Sequence, residues 1–190
     1  MKRPQRYLFI IMTVMVAIYL LLTRLPAAAA LALLVVLAIY GLALVIWGRD
    51  LLLGRRHSSR REWRKAIERY ERFEKKLLKF AWPKLTVALY LGIYSLDGVA
   101  IARNGIAHSL LNAGDLDQAV PWLRSALQRD PYYAVPYVNL AVIAAKRGDE
   151  QTAMREMTKA VQLGFNPQNA QRILRKVLEN PTDPGNEGVR

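Results

Sequence analysis

The chain contains a segment that occurs twice with a period of 34 residues. The dipeptide Gly114-Asp115 recurs as Gly148-Asp149, and three alanines recur at the same interval, as Ala107 and Ala141, Ala119 and Ala153, and Ala126 and Ala160. A period of this length with small residues in register is typical of a helix–turn–helix repeat, because small side chains allow two helices to cross closely. The period therefore predicts paired helices over residues 100–167.

The residue types at these positions resemble the tetratricopeptide repeat. In that family a bulky residue, a leucine and a small residue precede a Gly-Asp turn, and an alanine, a bulky residue and an alanine follow it. The second copy matches at Tyr137, Leu140, Ala141, Gly148, Asp149, Ala153, Met157 and Ala160, and the first at Ile106, Ala107, Gly114, Asp115, Ala119, Leu123, Ala126 and Pro131. The resemblance implies a helical-repeat domain over 83–180, with repeats at 100–133 and 134–167. Since the open end of such an array must be covered, a capping helix is expected over 167–179.

Two uncharged runs, residues 7–23 and 27–47, precede this region and are separated by Arg24-Leu25-Pro26. A helix needs roughly 17–25 apolar residues to cross a bilayer, and proline ends a helix. The runs predict a transmembrane hairpin over residues 1–48. A cleaved signal peptide ending near Ala27–Ala30 is the alternative. The length of the first run and the charge of Arg24 favour the uncleaved hairpin.

The net charge of +13 is concentrated next to these runs. Residues 49–84 hold 13 basic and 5 acidic side chains, whereas residues 85–190 hold 11 and 10. Because Lys and Arg beside a span favour the cytoplasmic side, both termini are predicted to be cytoplasmic, in a bacterial-type inner membrane or its equivalent. A basic cluster, Arg55, Arg56, Arg60 and Arg61, is expected to attract anionic lipid headgroups.

An apolar stripe follows within residues 49–82, which are predicted to form a basic juxtamembrane amphipathic helix. Its members are separated by steps of three and four, at Trp63, Ala66, Tyr70, Phe73, Leu77 and Phe80. Packing of the stripe within the chain is favoured, and a coiled-coil dimer or the membrane surface stays open. A helix over 84–95 is expected to pair with this one across the open end of the array. Residues 181–190 are predicted to be a disordered tail.

Candidate binding residues follow from the resemblance, since repeats of this family bind peptides in a concave groove lined by the first helix of each pair. By position the groove residues are Asn104, His108 and Asn112 in the first copy and Asn139, Val142 and Lys146 in the second. A groove of this kind implies a protein partner.

Catalytic, cofactor and metal sites are not predicted, and an enzyme is not expected. Cysteine is absent, the two histidines have no companion ligands at metal-binding spacing, and no phosphate-binding glycine loop occurs. A nucleic-acid surface needs clustered basic residues on a folded face together with base-stacking aromatic side chains, and nucleic acid is not expected as a partner.

The sequence thus predicts an all-α protein, with an N-terminal transmembrane helical hairpin followed by a short tetratricopeptide-like α-solenoid. The predicted function is a membrane-anchored scaffold that holds a protein partner at the cytoplasmic membrane face, during assembly or stabilisation of a membrane protein complex. The alternative is an integral accessory subunit whose transmembrane helices make the main contacts. Self-association is a further expectation.

Overall fold

The structure, a computed structural model, describes residues 3–79, 95 and 97–179, apart from the side chains of 3–11, 22, 40, 43, 44 and 47. The described part is all-helical. Its helices are α1 (Arg3–Arg24), α2 (Ala27–Ser59), α3 (Trp63–Lys79), α4 (Gly98–Ala113), α5 (Leu116–Arg129), α6 (Ala134–Lys146), α7 (Glu150–Gln162) and α8 (Pro167–Glu179). The predicted all-α class is confirmed for these residues.

The first two helices are separated at Leu25-Pro26, as the proline predicts. Among the described residues, however, no helix has the length and apolar content that crossing a bilayer requires. This finding corrects the prediction of a two-span anchor, and the predicted integral membrane localisation with both termini in the cytoplasm is wrong. The described side chains of α1 and the first half of α2 include exposed apolar residues such as Met15, Tyr19, Leu31 and Ile39.

The second helix does not end where the uncharged run ends. α2 continues to Ser59, so the predicted boundary at residue 48 falls inside it. Its second half packs against α3 and α4, and Leu51 is fully buried there. The change from uncharged to charged residues is therefore a change of environment along one continuous helix.

The apolar stripe of α3 is buried within the chain, as favoured from its spacing. Ala66, Tyr70, Phe73 and Leu77 are buried, and α3 packs between α2 and α4. These side chains belong to one core cluster with Val99 and other residues of α4. The pair stacked against the first repeat is therefore α2–α3. The predicted partner of α3, a helix over 84–95, and the predicted tail over 181–190 lie outside the described residues.

The two copies of the repeat form the helix pairs α4–α5 and α6–α7, and alanines occupy their crossings. Ala107, Ala119, Ala126, Ala141, Ala153 and Ala160 are fully buried. Asp115 begins α5 by accepting a bond from the Gln118 backbone N–H, and Asp149 begins α7 in the same way at Thr152. The predicted helix starts at these two aspartates are confirmed.

Successive pairs stack in chain order. α3 packs on α4, α5 and α4 pack on α6, and α8 covers the end of the array by packing on α6 and α7. Ala170, Leu174 and Val177 of α8 are buried in the same core cluster as α6 and α7. The arrangement is a short stack of helix pairs with two core clusters, and the partly buried Leu110 and Trp122 pack against both.

Three helices end in the same turn. In each turn a glycine has a positive φ, namely Gly114 (92°), Gly148 (78°) and Gly164 (106°). The residue after the glycine donates its backbone N–H to a carbonyl five residues back, at 2.9–3.0 Å, and the glycine donates to a carbonyl three residues back, at 3.0–3.2 Å. These paired bonds define the Schellman motif, in which glycine is favoured because it has no Cβ.

Candidate protein-binding surfaces

The six predicted groove residues lie on the first helices of the two pairs, α4 and α6, and five of them are buried. Exposed fractions are 8% for Asn104, 9% for His108, 6% for Asn112 and 0% for Asn139. Val142 is also buried, and only Lys146 is partly exposed. In this conformation a peptide can therefore reach one of the six side chains.

Two of the predicted groove residues bond to each other. The Asn139 Nδ2 donates to the Asn104 Oδ1 at 2.9 Å, which joins α6 to α4. Asn104 also hydrogen-bonds the Tyr133 hydroxyl, and burial raises the pKa of Tyr133 far above its usual range. In the described structure the buried Asn139 Oδ1 has no hydrogen-bond partner. The contacts of both asparagines connect successive helix pairs.

His108 and Asn112 form a second buried contact, one turn apart on α4. The Asn112 Nδ2 donates to the His108 backbone carbonyl at 2.7 Å and lies 3.2 Å from the ring Nε2. Burial lowers the pKa of His108 to about 4. The imidazole is therefore neutral near pH 7 and provides no positive charge to a ligand.

A tyrosine of α3, which the sequence analysis assigned only to the apolar stripe, packs against two glycines. The Tyr70 ring lies so close to Gly54 of α2 and Gly105 of α4 that a Cβ added at either glycine would be 2.8 Å from a ring carbon. Burial raises the pKa of Tyr70 to about 12. The two glycines thus allow three helices to converge on one ring.

Ion pairs also hold α2, α3 and α4 together. Asp50 of α2 pairs with Arg69, at 3.2 Å, and with Lys76 of α3. Burial acts to raise the pKa of Asp50, but the hydrogen bonds and charges of Lys76 and Arg69 lower it overall. Glu74 of α3 accepts from the Arg103 Nε of α4 at 2.7 Å. Sequence reasoning missed these pairs because they join residues on different helices.

The four arginines of the predicted basic cluster lie at the end of α2 and in the turn to α3, and all four are exposed. The charge of Arg55 acts to lower the pKa of Tyr70 and Tyr133, against the larger effect of burial. Among the described residues, none of the guanidinium groups of Arg56, Arg60 and Arg61 is in an ion pair. With the localisation corrected, the predicted contact of the cluster with anionic lipid has no support.

The acidic side chain nearest in sequence to this basic cluster already has two hydrogen-bond partners. Glu62 is the one acidic residue between residues 51 and 67. Its carboxylate accepts from the His57 Nδ1 at 2.7 Å and from the Lys65 Nζ at 3.1 Å, and these two hydrogen bonds lower its pKa. The turn therefore carries an excess of uncompensated positive charge.

The turn from α2 to α3 has the same backbone bonds as the three glycine turns. Glu62 donates its N–H to the His57 carbonyl at 3.0 Å, and Arg61 donates to the Ser58 carbonyl at 3.1 Å. The left-handed position is occupied by Arg61, with φ of 61°. Within the described residues it is the one non-glycine residue with a positive φ. No glycine marked this turn in the sequence.

The described residues hold no group of three or more His, Cys, Asp or Glu side chains that could bind a metal ion. Several of their carboxylates begin helices or form ion pairs between helices. For example, Asp97 accepts at the start of α4 from Val99 and Ala100 and also pairs with Arg129 of α5 at 2.8 Å. These groups are committed to the fold.

Comparison with known proteins agrees with the helix pairing. Residues 100–133, which include α5 and all but the first two residues of α4, match the family model of the tetratricopeptide repeat. The predicted resemblance is thus confirmed for the first copy. No curated protein matches the chain. A repeat of this kind indicates a protein-interaction role.

Proposed function

We propose that this chain is an interaction scaffold that binds a protein partner and acts in the assembly or stabilisation of a protein complex, and that it is not an enzyme. The observation that carries the proposal is the matched repeat at 100–133, extended on both sides by stacked helix pairs. Such arrays present a continuous surface built from successive helices, which suits binding of another chain. The structural engagement of carboxylates such as those of Asp50, Glu74 and Asp97 supports a binding role over a catalytic one.

Within the repeats, Lys146 is the predicted groove residue that a partner can reach. It lies at the end of α6, next to the turn at Gly148. The proposal therefore places the partner across the C-terminal end of α6. The hydrogen bond between the buried amides of Asn104 and Asn139 joins α6, which carries Lys146, to α4.

The test is affinity purification of the tagged full-length protein in mild detergent, with stoichiometry measured by quantitative mass spectrometry. We expect at least one protein to be recovered at a fixed ratio and to be lost in Lys146→Glu. The matched control is Lys159→Glu, which makes the same charge change on the exposed side of α7. Recovery of no protein at a fixed ratio would contradict the scaffold.

A second candidate function is a permanent subunit held through α1 and the first half of α2. It is favoured by the exposed apolar side chains there, since large exposed apolar surfaces mark interaction sites. Leu31, Val35, Ile39 and Leu42 share one face of α2 and are exposed. If replacing these four residues with Gln abolishes recovery of the fixed-ratio protein and Lys146→Glu does not, the permanent-subunit hypothesis is supported over the scaffold hypothesis.

A further inference from the structure

The α2–α3 turn uses an arginine where the chain otherwise uses glycine. The four turns share one pair of backbone bonds, and three of them have glycine at the left-handed position. A side chain with a Cβ is disfavoured in that conformation, whereas glycine adopts it freely. Arg61 is therefore a poor choice for the turn itself, and its presence indicates a role for the side chain.

The side chain of Arg61 is exposed together with those of Arg56 and Arg60. We refer to these three residues as the arginine turn. Among the described residues none of the three is in an ion pair, whereas Arg69, Arg103 and Arg129 each pair with a carboxylate. These three guanidinium groups on one turn therefore contribute no ion pair to the fold of the described residues.

The base of the arginine turn is rigid. Ser58 is buried at the end of α2, Ala66 is fully buried at the start of α3, and the backbone bonds described above close the turn. The guanidinium groups are thus presented from a fixed backbone, which reduces the entropy lost when they bind a ligand. This favours a specific contact over a general attraction to charge.

We propose that the arginine turn is a docking site for an acidic segment of the protein partner, an inference that rests on the proposed scaffold function. Guanidinium groups bind carboxylates in bidentate pairs, and three neighbouring arginines suit a short run of Asp or Glu. An extended polyanion such as nucleic acid would need a long basic track. The repeat region, residues 85–190, provides none, since its 11 basic and 10 acidic residues nearly cancel. Residues 49–84 hold 13 basic and 5 acidic residues, so a duplex oligonucleotide is the competing ligand that the test must exclude.

The first test measures binding of a fluorescein-labelled peptide of alternating Glu and Ser residues to the purified full-length protein, by fluorescence anisotropy. We expect the triple variant R56Q/R60Q/R61Q to bind about tenfold more weakly. The matched control is R124Q/R172Q/R175Q, which removes three exposed arginines from the repeat region and should change the affinity less than about twofold. Equal losses in both variants would overturn the proposal, because they would show attraction to net charge alone.

The class of ligand is tested with three other probes. A peptide of alternating Gln and Ser should not bind. If a duplex oligonucleotide or phosphatidylglycerol vesicles bind more tightly than the acidic peptide, and R56Q/R60Q/R61Q removes that binding, the acidic-segment assignment is overturned. Because this assay uses a defined peptide, its failure is distinct from failure of the scaffold function, which is judged by recovery of a fixed-ratio protein.

A single substitution separates binding from folding. Arg61→Gly should raise the Tm of the protein while weakening peptide binding severalfold, because it relieves the turn and removes one guanidinium. A loss of affinity in a more stable protein cannot result from unfolding. A raised Tm with unchanged affinity would show that Arg61 does not bind the peptide. It would also contradict the inference that arginine occupies this turn because its side chain binds a ligand.

Discussion

The α2–α3 pair and the α4–α5 pair stack in the same array but are held together by different side chains. In α4–α5 the helices cross at fully buried alanines, and capping aspartates and glycine turns fix the ends. In α2–α3 the helices are joined by Asp50 with Arg69 and Lys76 and by the Tyr70 ring between glycines. Small-residue packing thus holds α4–α5 together, whereas an aromatic ring and ion pairs hold α2–α3 together in the same architecture.

This difference explains which pair a sequence pattern can detect. The matched family model covers residues 100–133, where small residues and turn residues fall at fixed positions. The α2–α3 pair lacks those signals, because its contacts are made by the Tyr70 ring and by ion pairs. The comparison gives four predictions.

The largest effect is expected from Tyr70→Ala. The substitution empties the space between Gly54 and Gly105, and neither glycine has a side chain that could fill it. We expect a loss of about 3–5 kcal/mol in the free energy of unfolding. The measurement is urea unfolding followed by circular dichroism. Tyr70→Phe keeps the ring and is the control. A loss below about 1 kcal/mol for Tyr70→Ala would show that α2–α3 is not integral to the array.

The next largest effect is on the pH dependence of stability, and it is expected from His108 in the α4–α5 pair. The unfolded chain takes up a proton near the ordinary pKa of 6.5, whereas the buried imidazole does so only near 4. Lowering the pH from 6.5 to 4 therefore favours the unfolded chain, by about 3 kcal/mol at most. Unfolding free energies measured across this range should fall steeply for the wild type and less steeply for His108→Gln. Equal slopes would mean that the imidazole is accessible to protons in the folded protein.

A smaller loss in the free energy of unfolding is expected from Asp50→Asn, which removes the ion pairs between α2 and α3. Its pH dependence should lie at lower pH than that of His108. Because the folded pKa of Asp50 is lowered, its stabilisation is present above the ordinary value of 3.8 and is lost as the pH falls through the folded value. We expect about 1 kcal/mol at pH 7, since Lys76 and Arg69 are partly exposed. The difference between wild type and variant should vanish at low pH. A difference that persists there would be due to packing.

The sequence predicted the repeat region well because its signals are local. The 34-residue period, the aspartates at helix starts and the glycines after helix ends each act within a few residues. It predicted the buried face of α3 from the spacing of Ala66, Tyr70, Phe73 and Leu77. The partner of that face could not be predicted, since packing against α2 depends on Gly54 and Asp50 meeting residues far along the chain.

The candidate site was predicted less well, for two physical reasons. Position in the repeat placed Asn104, His108 and Asn139 on the first helices but could not show that neighbouring elements bury them. The predicted hairpin ended at residue 48, where the composition changes, but α2 continues through Gly48 to Ser59. The actual end has Arg61 in a left-handed conformation, where the usual signal would be glycine.

The last effect, no larger than that of Asp50→Asn, is expected at the turns themselves, and it has a matched pair of substitutions. Arg61→Gly should stabilise the protein by about 1 kcal/mol, because glycine adopts the left-handed conformation without strain. Gly114→Arg places arginine in the equivalent turn between α4 and α5, where an added Cβ would meet no atom within 4 Å. Its cost is therefore conformational, again about 1 kcal/mol, but in the destabilising direction. Urea unfolding of both variants should give changes of opposite sign. If Arg61→Gly were destabilising, the side chain would contribute to the fold, and the presence of arginine in this turn would need no ligand to explain it.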